Sequence, residues 1–428
     1  RNVTGVQTCA LPISLTCDAK KNRGNLMKKI GGVRMLYKCK RSILGLFAVL
    51  LLCMALPSLA AAWVMVDGDG DRWMKFGAGF RSSFSTSNDA TGNQSGSAKD
   101  IQLDNMRLYT LTQVHKNILF EFNTEVNNTN DRTADNYTQA TSGQFHNVFV
   151  LDARATFSIK GFDLWVGKFL PPSDRSNLNG PYFLNVYNFP VVQAYPAIAA
   201  GRDHGAMVFK EYGGGKFKWS YGIFEGRTNA SNANANPDEN DNFLHAARFT
   251  YNFWTPEPGY YTTSSYYGAK DVLALAFAFQ HEDDGAGTGT TATTQGDFTG
   301  WNIDLLMEKK LSNGAVLNLE GAFYDYDTDD IADTTLIQGE GYLALASYLL
   351  PNKMGWGKLQ PYIRYQHFDR EQSNTAANLG TRSVTEGGFN YIIDGHNAKI
   401  MAFYSGDKNG SNAATVDSFN IGMQFQLL

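Results

Sequence analysis

Cysteine is missing from most of the chain. All four cysteines precede residue 62, so residues 63–428 contain none. A disulfide, a cysteine-based metal site and a cysteine nucleophile are therefore excluded from that region. An exported protein without cysteine is compatible with assembly in an oxidising compartment.

Long hydrophobic runs are also missing after residue 62, and the mean hydropathy of the chain is −0.30. A helical membrane protein is excluded, because a spanning helix needs about 20 apolar residues. The one apolar run, residues 43–56, follows Lys38, Lys40 and Arg41 and precedes three alanines. This order of positive charge, apolar core and small residues predicts a secretory signal peptide over residues 35–62.

Residues 1–34 are interpreted as non-native, adapter-derived or upstream sequence, since residues 3–13 (VTGVQTCALPI) resemble a translated sequencing adapter. Removal of residues 1–62 takes away ten of the 37 basic residues and one of the 41 acidic residues. The remaining domain, residues 63–428, then carries a net charge of about −13. No nucleic-acid partner is expected, because nucleic-acid binding requires a basic surface.

Short stretches of this domain alternate apolar and polar residues. The clearest stretches are residues 73–81, 118–126, 149–159, 301–308 and 419–427. A period of two places the apolar residues on one side of a β-strand and the polar residues on the other. A soluble β-sandwich and a transmembrane barrel both show this alternation.

The lengths of the connections favour the barrel. About sixteen candidate strands are joined by alternating long and short connections, as in barrels with long external loops and short periplasmic turns. Residues 256–270 form a turn that is longer than this rule predicts. The sequence therefore predicts an all-β, antiparallel transmembrane barrel, wide enough at this strand number to hold water.

Enzymatic and metal chemistry have weak support in the sequence. Arg202, Asp203 and His204 are adjacent, but no serine stands in a nucleophile-elbow pattern nearby. The histidines are scattered without the paired spacing of a metal site. We therefore expect no catalytic residues, no metal site and no cofactor.

Several motifs resemble the phosphate-selective porin O and P family. They are LDARATFSIKGFDLWVGKFLPPSDRSNL (residues 151–178), GRDHGAMVF (201–209), YIRYQHFD (362–369) and FNYIIDGHNAKI (389–400). The resemblance implies an outer-membrane homotrimer with a long loop after strand five that folds into the lumen. Residues 170–201 are the matching loop, and a capping or trimer-contact role is the alternative reading.

The resemblance also implies an anion preference set by lumenal basic residues. The pore-lining and constriction candidates are Lys75, Arg81, Arg154, Lys168, Lys218, Arg364 and Lys399, with Arg175 and Arg202 at the loop ends and Tyr182 and Tyr187 within the loop. Carboxylates share the same predicted interior: Glu121, Glu125, Asp152, Asp163, Asp304, Glu308 and Glu320. Rings of basic side chains select anions and rings of acidic side chains select cations, so a mixed lumen indicates a general polar pore.

The predicted function is passive diffusion of small hydrophilic solutes, including anions such as phosphate, across the bacterial outer membrane. A general or cation-leaning porin without phosphate specificity is the first alternative. A barrel that sheathes an electron-transfer partner is another, and a barrel lipase or protease would need a converging Ser/His/Asp set at one rim. The expected partners are membrane lipid and small polar or anionic solutes.

Overall fold

The computed structural model describes residues 64–68, 71–88, 96–127, 147–195, 201–227, 242–287, 295–331, 337–371, 373–374, 377–378, 380–410 and 413–428. They belong to one compact unit, Ala60–Leu428. The predicted upstream segment and signal peptide lie outside the described residues.

The described unit consists almost entirely of strands. In chain order they are β1 (Val64–Asp67), β2 (Trp73–Ser87), β3 (Ala98–His115), β4 (Ile118–Asn127), β5 (Asn147–Ile159), β6 (Phe162–Phe169), β7 (Asp203–Tyr212), β8 (Phe217–Phe224), β9 (Leu244–Asn252), β10 (Val272–Gly287), β11 (Gln295–Lys310), β12 (Val316–Asp327), β13 (Gly339–Leu349), β14 (Lys358–Arg370), β15 (Ser373–Asn374), β16 (Ala377–Asn378), β17 (Thr381–Asp394), β18 (Ala398–Asn409) and β19 (Val416–Leu427). One helix, α1 (Arg175–Phe183), lies between β6 and β7. No helix among the described residues is long and apolar enough to cross a membrane.

Sixteen of these strands form a closed antiparallel barrel. Each long strand pairs with the next one along the chain, and the last strand, β19, pairs with β2 from Ser418↔Ser87 to Leu427↔Ala78. The short β1 pairs with the start of β2, and β15 and β16 pair with each other. The predicted barrel of about sixteen strands is confirmed, and the β-sandwich is excluded.

Burial alternates along the barrel strands with the expected period of two. In β14, Tyr362 and Arg364 are buried and face inward, whereas Ile363 and Tyr365 are exposed on the outer face. Large apolar side chains dominate the exposed outer positions, including Phe76, Phe122, Phe249, Leu275, Ile303, Phe389 and Phe419. This apolar outer face suits lipid, and closure leaves no strand edge unpaired there.

Two connections between strands pack against inward-facing side chains. Residues 170–195, here called the loop segment, follow the fifth barrel strand, β6, and contain helix α1. Residues 253–271, here called the turn segment, join β9 to β10. Because successive strands run in opposite directions, the two segments enter from opposite ends of the barrel.

Candidate functional site

The loop segment is held inside the barrel through its backbone. Seven of its carbonyl oxygens accept hydrogen bonds from inward-facing side chains of the barrel wall. The pairs are Pro172 O with Gln280 (2.8 Å), Ser173 O with Arg248 (2.8 Å), Tyr182 O with Gln424 (2.7 Å), Leu184 O with Lys399 (2.7 Å), Asn185 O with Asn390 (2.8 Å), Tyr187 O with Arg81 (2.5 Å) and Asn188 O with Arg364 (2.8 Å). These contacts satisfy irregular backbone groups that are shielded from water.

The turn segment is anchored to the wall chiefly by the carboxylate of Glu308. Glu308 is fully buried, and its Oε2 accepts hydrogen bonds from Ser265 Oγ (2.8 Å) and from the Tyr266 amide (2.8 Å). Its Oε1 accepts the Gly268 amide at 2.8 Å. These three hydrogen bonds to Glu308 therefore position the turn segment.

The two segments meet at a buried ion pair. Arg175 at the start of α1 donates through Nη1 and Nη2 to the two carboxylate oxygens of Glu257, at 3.0 Å and 2.6 Å. Burial by itself would raise the pKa of Glu257, but the Arg175 charge and the hydrogen bonds from Arg175 and Tyr266 outweigh it and lower the pKa to about 2. Glu257 is therefore ionised at neutral pH, and the pair is charge-assisted.

Other inward arginines are also paired with carboxylates. The pairs are Arg107 with Glu125, Arg154 with Glu121, Arg202 with Asp152 (3.1 Å), Arg248 with Asp304 (2.6 Å) and Arg364 with Glu386 (2.9 Å). Each pair leaves little net charge to act on a passing ion. The paired arginines therefore contribute little to the net charge that an ion meets in the interior.

Two of the three tyrosines of the loop segment, Tyr182 and Tyr187, pack on glycines of the wall. A Cβ atom at Gly79 would lie 2.7 Å from the Tyr182 ring, and a Cβ atom at Gly422 would lie 2.3 Å from the Tyr187 ring. Tyr187 also donates to Asp104 at 2.6 Å. Glycine is therefore required at both positions for the rings to lie this close to the strands.

Half-exposed inward side chains lie on β2 to β4 and also on β17 to β19, where Arg382 pairs with Asp407 and Ser418 and Asn420 are half-exposed. Inward side chains on β7 to β14 are largely buried beneath the two segments. Lys75, Gln113 and Glu121 form a lower accessible zone, and Ser83, Ser85, Asp104 and Asn105 form an upper accessible zone. Arg107, Glu125 and Tyr182 lie between these zones and are buried.

Ten of the eleven predicted pore residues lie on the inner side of the barrel or in the loop segment. Arg81, Arg154, Arg175, Arg202, Lys218, Arg364 and Lys399 are buried, as are Tyr182 and Tyr187. Lys75 is half-exposed, with its Nζ 4.7 Å from the centre of the Trp73 ring.

The inward position expected for Lys168 is wrong. Lys168 pairs with Ala153 and shares the outer face with Val166, which is 43% exposed. Its ammonium donates to the Val150 carbonyl at 3.0 Å. Trp165 and Gly167 occupy the inward positions of β6 instead, which leaves Lys168 on the opposite side.

The prediction also missed residues of the interior, notably Arg107, Arg248, Glu257 and Glu386. Arg248 follows the same alternation as its inward neighbours Ala246 and Thr250, so the pattern of β9 could have identified it. Glu257 lies in an irregular turn, where alternation gives no signal.

The last strands of the barrel match a known protein family. Residues 334–427 match the phosphate-selective porin O and P family. This stretch contains β13 to β19 and includes the two later motifs that resemble the same family. An uncharacterised protein of Aquifex aeolicus (strain VF5) is 31% identical over 102 residues, which cover 24% of this chain and 23% of that protein.

Solved outer-membrane structures share the fold. OprB of Pseudomonas putida has a TM-score of 0.57 at 10% identity, with 83% of this chain and 94% of that chain covered. OmpF of Salmonella typhi, in complex with daunomycin, has a TM-score of 0.55 at 12% identity, with 85% and 100% covered. The barrel has the fold of porin channels, and together with the family match it indicates a bacterial outer-membrane protein.

Proposed function

We propose that this protein is a passive porin of the outer membrane for small hydrophilic solutes, with a preference for cations over anions. The observation that carries the proposal is the position of charge inside the closed barrel. The inward arginines Arg107, Arg154, Arg202, Arg248 and Arg364 are paired with carboxylates. The two accessible zones contain Asp104 and Glu121 as acids and Lys75 as a base; Glu121 pairs with the more deeply buried Arg154, with side chains 18% and 9% exposed.

Charge at the accessible wall decides which ions enter. A lumen edged by carboxylates concentrates cations and repels anions, whereas an anion pore needs basic side chains that solutes can reach. Arg81, Lys218 and Lys399 donate to backbone carbonyls, but all three are buried beneath the loop and turn segments. This arrangement favours a cation-leaning pore over a phosphate-selective one.

Two further parts of the proposal concern assembly and export. Assembly as a homotrimer is supported by the resemblance to outer-membrane porins, and export through a cleaved signal peptide is supported by the order of charged, apolar and small residues over residues 35–62. A sheath for an electron-transfer protein is disfavoured, because the loop and turn segments occupy the interior that a threaded partner would need.

Liposome swelling tests passive diffusion. The refolded barrel, reconstituted into liposomes, should admit uncharged sugars at rates that fall with molecular size and do not saturate with concentration. Saturable uptake of one solute would indicate a dedicated binding site, and no swelling above protein-free liposomes would contradict a porin.

A further inference from the structure

A histidine and two aspartates converge on the outer side of the barrel where β10 and β11 meet. His281 Nε2 lies 2.9 Å from Asp283 Oδ1, and Asp297 on the neighbouring strand completes the group. One ligand atom from each of the three residues lies within 4.8 Å of the other two. Such separations suit three ligands of one metal ion.

The local fold holds these side chains in place. The register of β10 against β11 shifts between Glu282 and Ala286, and this bulge brings Asp283 over Asp297. The Asp284 amide donates to Asp297 Oδ1 at 2.9 Å. The backbone of Asp284 lies in the left-handed region, with a φ angle of 55°. His281 Nδ1 lies 2.9 Å from Thr299 Oγ1, a contact that fixes the imidazole and directs Nε2 towards the carboxylates.

We propose that His281, Asp283 and Asp297 bind a first-row divalent transition metal, with Zn²⁺ as the best-suited probe. One imidazole nitrogen and two carboxylate oxygens are a donor set that Zn²⁺ accepts. The metal binds the Nε2 lone pair of the neutral imidazole, whose one proton then lies on Nδ1 and is donated to Thr299 Oγ1. The exposure of Asp283 leaves coordination positions for water.

A second site in the barrel provides an internal comparison. His367 has the same neighbours, with Ser383 Oγ 2.8 Å from Nδ1 and Asp369 Oδ1 3.1 Å from Nε2. Among the described residues, no third histidine or carboxylate ligand completes that group. The His367 site therefore has the same histidine–aspartate geometry without the counterpart of Asp297.

The group Asp203, His204 and Glu225 is a poorer candidate. Both oxygens of Asp203 accept backbone amides, from His204 at 2.6 Å and from Gly226 at 2.8 Å. A metal would have to displace these bonds. We therefore assign the metal to the β10–β11 group.

Calorimetric titration of the tag-free refolded barrel with Zn²⁺ tests the assignment. The expected result is about one Zn²⁺ per chain, with affinity lowered about tenfold or more in Asp297→Asn and in His281→Gln. His367→Gln should bind as the unmodified chain does, and retained heat-modifiable migration of each variant shows that it folds. No stoichiometric binding, unchanged affinity in both site variants, or an equal loss in His367→Gln would overturn the assignment.

Discussion

Arg175 and Glu257 form a two-point ion pair inside the barrel, with nitrogen–oxygen distances of 3.0 Å and 2.6 Å. Arg175 belongs to the loop segment and Glu257 to the turn segment, so the pair joins two pieces of chain that enter from opposite ends. Both side chains are almost fully buried. The packing of the interior therefore depends on this contact.

Glu257→Gln should loosen both segments. Removal of one partner leaves the Arg175 charge buried, with the Asp304 carboxylate 3.9 Å away and a hydrogen bond to the Thr263 carbonyl at 3.0 Å, and costs about 3–5 kcal/mol. The melting temperature should fall, and single-channel conductance should rise because the segments move apart. Thermal unfolding and planar-bilayer recordings measure the two effects.

The double variant Arg175→Met/Glu257→Gln is the control for that prediction. It removes both charges, so no unpaired charge remains buried, and its stability should exceed that of the single variant. A double variant that loses as much stability as the two single variants together would show that the pair does not couple the segments.

Gly422→Ala should displace the loop segment from the wall. The added Cβ would meet the Tyr187 ring at 2.3 Å, which forces the ring away and breaks its hydrogen bond to Asp104. Overpacking of this kind costs about 1–3 kcal/mol. Gly321→Ala is the matched control, since its Cβ would meet the Leu343 carbonyl at 3.8 Å. Equal melting temperatures for the two variants would contradict the packing described here.

Acidification should weaken the contact between both segments and the β17–β18 turn. Burial and the nearby Lys399 charge lower the pKa of His396 to about 3, below the ordinary value of 6.5. Since the unfolded chain then binds the proton more tightly, His396 destabilises the fold as pH falls below about 6.5. The ring contacts both segments, since Nδ1 lies 3.1 Å from the Tyr182 carbonyl and Nε2 lies 2.7 Å from Thr263 Oγ1 and 2.8 Å from the Ser265 carbonyl.

His396→Asn tests this dependence. Asparagine keeps a donor near the Tyr182 carbonyl but does not titrate, so the drop in melting temperature between pH 7 and pH 4 should be smaller than in the unmodified chain. An identical drop in both proteins would assign the acid sensitivity to other groups.

Asp104→Asn should reduce the preference for cations. The substitution keeps the side-chain volume and removes a negative charge from the upper accessible zone. The ratio of potassium to chloride permeability should move towards one. Asp369→Asn removes the same charge from the outer side of the barrel and should leave the ratio unchanged. Equal shifts in the two variants would indicate a general surface effect.

The sequence predicted the barrel because barrel strands alternate apolar residues on the outer face with polar residues on the inner face. Arg81 and Arg154 were placed on the inner side by the period of two. Lys168 was misplaced, since it lies one position from Gly167, which pairs with the inward Arg154. On β6, Trp165 faces inward instead and packs against Tyr260 of the turn segment, with ring centres 4.9 Å apart.

The contacts between the segments could not be predicted in the same way. The length of the turn segment was visible in the sequence, but irregular backbone has no period that identifies a buried side. Arg175 and Glu257 lie 82 residues apart, and only the closed barrel brings them together. His281 and Asp297 are likewise brought together by the pairing of β10 with β11, so the sequence shows no short spacing of the kind found in familiar metal motifs.

The reversal potential of the reconstituted protein in a potassium chloride gradient tests the central claim most directly. A water-filled pore with accessible carboxylates and paired arginines should conduct, with a reversal potential displaced towards that of potassium and no block by phosphate. A displacement towards chloride together with block by phosphate would contradict this account.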